Sequence, residues 1–148
     1  MGTLQLINES ASVTRQQYAV LSEALRVARL EPLRRSSRLC DLLRYLARPG
    51  EPPTEYDIAM DVFGRGKDFD PVADGIVRVS VARLRKLLAD IYRESPQPRC
   101  LTIENGYRLV LKSAVSVWQD HHFADGNLAE RVAALEQELR ILKIALLQ

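Results

Sequence analysis

Between Ile76 and Arg93 the side chains best able to do chemistry are cations. At helical spacing Arg78, Ala82, Arg85 and Ala89 form one row, and Val79, Arg83, Lys86 and Asp90 form the next. Four cations therefore project from two adjacent rows within the first three turns, and no acid in those turns opposes them. A merely solvated helix face more usually mixes signs as i,i+4 pairs. The guanidinium fork suits bidentate contact with phosphates and guanine edges, and Val79 supplies an apolar group for a thymine methyl. The pattern predicts contact with double-stranded DNA.

The wider charge distribution points the same way. A net charge of +2 hides segregation: residues 14–48 carry eight Arg against three acids, residues 50–74 two cations against seven acids, and residues 75–112 eight cations against three acids. Arg outnumbers Lys by 17 to 4. Arg34, Arg35 and Arg38 cluster where a second helix should begin, placed to clamp phosphates or to form a solvated or partner surface.

These residues need elements to position them. Thr14 offers an N-cap for a helix through TRQQYAVLSEALRVARL, with residues 1–13 as a flexible N-terminus and Pro32 as the interruption. Ser36 or Ser37 caps SRLCDLLRYLA, which ARPGEPP stops. Thr54 and Asp57 make a near capping box for YDIAMDVF, closed by Gly64. After the loop RGKDFDPVADG, the residues Val77, Val81, Leu84, Leu88 and Ile91 form a continuous apolar stripe, predicting the longest central helix over 76–93. CLTI and YRLVLK alternate around Asn105-Gly106, the strongest short-range hairpin signal. Three helices and a hairpin predict a mainly α fold with a small β-hairpin, a winged helix-turn-helix over residues 14–112.

VRVSVARLRKLL followed by LTIENGYRLVL resembles the recognition helix and terminal hairpin of OmpR/PhoB-type winged-helix effector domains. Over roughly residues 22–111, LRRSSRLCDLLRYL, TEYDIAMDVFGRGKDFDPVADGIVRVSVARLRKLL and IENGYRLVL are closer still to the winged-helix domain of proteobacterial regulators and of some cyclase or repeat proteins. The resemblance implies a DNA-binding transcription factor. It implies base readout from Arg78, Ser80, Ala82, Arg83 and Lys86, and backbone contacts from Arg85 and from the hairpin through Asn105 and Arg108. Three departures from the expected pattern stand out: the length holds no receiver domain, no β-platform precedes the first helix, and Glu104-Asn105 occupy the hairpin tip where relatives often place Arg. A repressor or accessory factor is expected rather than a phosphorelay output.

The last third carries a second pattern. Leu128, Val132, Leu135, Leu139, Leu142 and Leu146 are spaced 4, 3, 4, 3, 4, a heptad seam. In a parallel pair Arg131 would face Glu136 and Glu138 would face Lys143 of the other copy, both attractive. The expectation is a coiled-coil dimerisation helix over 127–148 after a linker over 113–126. Ile141, Ile144 and Leu147 lie off the seam, free to thicken it toward a tetramer or to pack on the winged helix.

Other chemistry finds little footing. His121 and His122 are adjacent and cannot share a helical face, and neither Cys40 nor Cys100 belongs to a CxxC or Cys/His cluster, so no metal, cofactor or disulfide is expected. GxGxxG, P-loop and GxSxG motifs are absent from the sequence, and the DFD at 68–70 reads as a loop, so an enzyme is not expected. No apolar run approaches the ~20 residues that cross a bilayer, and MGTLQL lacks an export pattern, so the expected setting is the cytoplasm. The competing class is a protein-interaction or assembly module without specific DNA binding.

Overall fold

In a computed structural model, residues 2–117 and 128–147 are described. The architecture is mainly helical with one two-stranded antiparallel hairpin. Helix α1 spans Gly2–Val27, α2 Ser37–Leu46, α3 Glu55–Asp61 and α4 Ile76–Glu94, with a short 3-10 turn over Leu33–Arg35. Strands β1 (Arg99–Glu104) and β2 (Arg108–Ser113) form the hairpin, and α5 spans Leu128–Leu146. The linker expected over 113–126 is helical at residues 114–117, and Trp118, His121, His122 and Gly126 lie outside the described residues.

Local chemistry accounts for most boundaries. Ser36 caps α2, its side chain accepting from the Leu39 N–H. Thr54 and Asp57 form a full capping box on α3, each side chain bonded to the other's backbone N–H. At the far end Gly64 adopts φ +64°, a conformation that costs a residue with a Cβ, and donates to Met60 O.

Helix α1 departs from expectation. It begins at Gly2, so residues 2–13 are helical rather than a loose N-terminus. Thr14 lies inside it, its hydroxyl donating to Ser10 O one turn back. Inside the helix the N–H groups here bond to carbonyls one turn back, so no cap is needed at this position.

One core unites the elements. Leu42 and Leu43 of α2, Ile58 and Ala59 of α3, and Ala24 and Val27 of α1 are buried around α4. All five predicted stripe residues of α4, Val77, Val81, Leu84, Leu88 and Ile91, are buried as well. Leu101, Ile103 and Leu109 of the hairpin close one side. Tyr92 near the end of α4 donates its hydroxyl to Glu23 of α1, which also holds Arg26, tying α1 to α4. Burial pushes the Tyr92 phenol pKa upward. Cys40 is buried and donates to Leu33 O, while burial raises the Cys100 thiol to about 11, so neither is a ready thiolate.

Helix α5 docks on this body by one stripe. Ile141 is buried in the core, Ala134, Gln137, Glu138 and Ile144 are half-buried, and Gln137 Nε2 donates to Arg93 O at 3.2 Å. That bond satisfies a carbonyl that α4 leaves open in its last turn. Val132, Leu135, Leu139, Leu142 and Leu146 are exposed, while the side chains of Leu128 and Arg131 lie outside the described residues. At 3.6 residues per turn, the docked stripe and the exposed seam are centred roughly 140° apart. Among the described residues, no helix is long and apolar enough to cross a membrane.

Candidate nucleic-acid interface

The outward side of α4 divides into two rows. On the outermost row Val79 is 52% exposed, and Ala82, Arg83 and Lys86 are exposed beside it. Neither Arg83 nor Lys86 has an acid within ion-pair distance among the described residues, and Asp90 on the same row is held by Arg93 at 3.1 Å. This leaves two adjacent cations and an apolar patch facing water.

The row nearer the hairpin is engaged. Arg85 donates from Nε to Ile103 O at 3.1 Å and from Nη2 to Glu104 O at 3.4 Å, so its guanidinium ties α4 to the end of β1. Arg78 lies 3.5 Å from Glu55 of α3. An acid does oppose the α4 cations, then, but it comes from a different helix, where reading α4 alone could not find it. Burial together with the nearby Glu55 carboxylate raises the Tyr107 phenol pKa.

Ser80 corrects the expectation for base contacts. Only 8% exposed, it sits on the buried side of α4 beside Val77, Val81 and Leu84. The family resemblance implied it as a base reader, yet its angle on the helix places it with the core.

The hairpin tip is a three-residue loop rather than a two-residue turn. Glu104 pairs with Arg108 in the register, leaving Asn105, Gly106 and Tyr107 between them. Gly106 takes φ +81° and Tyr107 φ +60°, and the left-handed conformation is uncommon for a residue as large as Tyr. Packing of its ring against the core helps to hold it there. Asn105 and Arg108 are exposed, and Glu104 of the tip pairs with Lys112 at 2.9 Å.

The N-terminal basic cluster is partly neutralised. Arg34 and Arg35 share Glu31, at 3.4 and 2.8 Å, whereas Arg38 is exposed and without an ion pair among the described residues. Exposed pairs of this kind are weak, and a stronger anion can displace them. Among the described residues no cluster of three or more His, Cys, Asp or Glu could hold a metal ion.

The arrangement can receive an extended anion with apolar spots along one side of α4, flanked by the hairpin. Of the residues singled out in sequence, Val79, Ala82, Arg83 and Lys86 come together, Arg78 and Arg85 sit beside them but engaged, and Ser80 is withdrawn. Sequence reasoning missed Glu55, whose only local signal is its place in the first turn of α3, already capped by Thr54 and Asp57. Comparison with protein-family models, with curated proteins and with solved structures finds no match to this chain.

Proposed function

We propose that the chain is a winged helix-turn-helix transcriptional regulator that binds double-stranded DNA as a homodimer, with α4 as the reading helix in the major groove. The observation that carries this reading is the free outer row of α4. Every other side of that helix is taken up by the core, the hairpin carbonyls or Glu55, while Arg83 and Lys86 stand exposed without a counter-charge beside Val79. Side chains of these types match the major-groove edges of guanine and thymine. The hairpin, fixed to α4 through Arg85, flanks the duplex as a wing.

Dimerisation follows from α5. Its exposed Val132, Leu135, Leu139, Leu142 and Leu146 repeat at heptad spacing, and burying each Leu against a second copy contributes about 1.5–3 kcal/mol before ordering costs. The other face of α5 is already docked, so the seam is the side left for a partner helix. Two reading helices joined in this way combine two half-sites at high effective concentration. A cytoplasmic setting goes with this reading.

A salt titration of duplex binding tests it. DNA binding through free arginines and lysines must weaken linearly in log K against log salt, with a slope of about −0.9 per phosphate neutralised. Binding to a random-sequence duplex pool, followed by selection and sequencing, should yield two similar half-sites. A flat salt dependence, or no enriched sequence, would favour a protein-docking module instead.

A further inference from the structure

The pairing of Arg78 with Glu55 has no evident structural purpose. The first turn of α3 is satisfied without Glu55, because Thr54 and Asp57 bond to each other's backbone N–H groups. A pair between side chains that are 52% and 21% exposed adds little to stability. Yet Glu55 is half-buried, its Oε1 lies 3.5 Å from Arg78 Nη1 without a hydrogen bond, and the charge of the same carboxylate reaches the Tyr107 phenol of the hairpin loop. Three elements, α3, α4 and the hairpin tip, converge on one carboxylate beside the free cations of α4.

We propose that Glu55 is a positioning residue that withholds Arg78 from DNA phosphates, so that sequence-independent binding rests on fewer charges than the sequence displays. This deepens the reading of α4 as a DNA-reading helix and rests on it. A reading surface whose cations are all free adheres to any duplex, since phosphate contacts carry no sequence information. Holding one guanidinium against a fixed carboxylate subtracts from that background. A phosphate must then displace Glu55 before it can gain Arg78, whereas Arg83 and Lys86 remain available throughout.

The test uses the full chain and a short duplex of random sequence, with affinity measured across a salt series. Glu55→Gln frees Arg78 and should steepen the slope of log K against log salt by about 0.9, which at 0.15 M salt is roughly fivefold tighter binding. Arg78→Ala alone should leave the slope near that of the parent chain, because that charge is already withheld. In Glu55→Gln with Arg78→Ala, the gain should vanish. Thermal unfolding of each variant checks that the fold is intact, and the Arg78→Ala result stands even where Glu55→Gln loosens α3. An unchanged slope in Glu55→Gln overturns the proposal, provided Arg83→Ala still weakens binding. A gain that persists without Arg78 also overturns it, by showing that Glu55 only repels DNA directly. Absence of any salt-dependent binding by the parent chain defeats the DNA reading itself and this proposal with it.

Discussion

Helices α4 and α5 are both nineteen residues long, and α4 presses a continuous apolar stripe into the core that α5 reaches through Ile141, yet they leave opposite surfaces on their far sides. The far side of α4 carries Arg83, Lys86 and a single exposed Val79, a surface that water solvates readily. The far side of α5 carries Val132, Leu135, Leu139, Leu142 and Leu146, which water does not favour. A charged far side can wait for its ligand, whereas a continuous apolar one lowers free energy only when covered. On the function proposed above, the difference separates two tasks on one scaffold: α4 meets a partner of opposite charge, and α5 takes a permanent neighbour of its own kind.

Making the far side of α5 polar, as in α4, should have the largest effect. Leu135→Asp with Leu142→Asp should convert a dimer into a folded monomer in analytical ultracentrifugation, and should weaken binding to a selected two-half-site duplex on the order of a hundredfold or more. A variant that stays dimeric would place the interface elsewhere, with α1 the next candidate. Next in size is damage to the stripe that α4 buries: Leu88→Ala, at a side chain only 2% exposed, should cost about 2–5 kcal/mol in denaturant unfolding. The same exchange at Leu139, 61% exposed, should change monomer stability far less and act on association instead. A similar loss of monomer stability at both positions would erase the distinction drawn between the two helices.

On the free side of α4, Arg83→Ala should cost about 1–3 kcal/mol on the selected site and relax preference at one base pair. Unchanged affinity and unchanged preference would remove α4 from the role of reader. The smallest effect lies away from both surfaces, at the α3 cap. Thr54's backbone N–H and hydroxyl hold the Asp57 carboxyl below its ordinary 3.8, so the folded state favours the ionised form. This contribution is fully present above pH 4 or so and fades as pH falls through the lower folded value. Asp57→Asn should therefore flatten the acid limb of a melting-temperature profile while altering DNA binding little.

The parts of this contrast that depend on neighbours along the chain were legible in sequence. The stripe from Val77 to Ile91, the Thr54 and Asp57 box and the Ser36 cap each involve residues within a few turns, and the structure has all of them. Features that depend on two elements meeting were not. Ser80 was expected among the base contacts on the family resemblance, but the approach of the other elements to α4 decides which angles are buried. Glu55 and Arg78 belong to different helices, and nothing in either segment announces the other. Heptad spacing singled out the outer face of α5 but left undecided whether Ile141 thickens that face or packs inward, and packing at the end of α4 settles it inward. In α1, Thr14 resembled a boundary because its side chain can cap, whereas inside a helix the same hydroxyl bonds back to Ser10 O.

The anchoring of α5 on the last turn of α4 also has a mechanical side. Gln137 lies midway along this nineteen-residue helix, so each arm is about 14 Å long and a tilt of roughly 20° displaces either end by about 5 Å, more than the rise of one base pair. Gln137 and Ile141 act as the clamp of a lever whose fulcrum is Arg93 O and the core beneath it. In the proposed dimer, loosening that clamp would alter how far apart two such levers hold whatever lies at their ends.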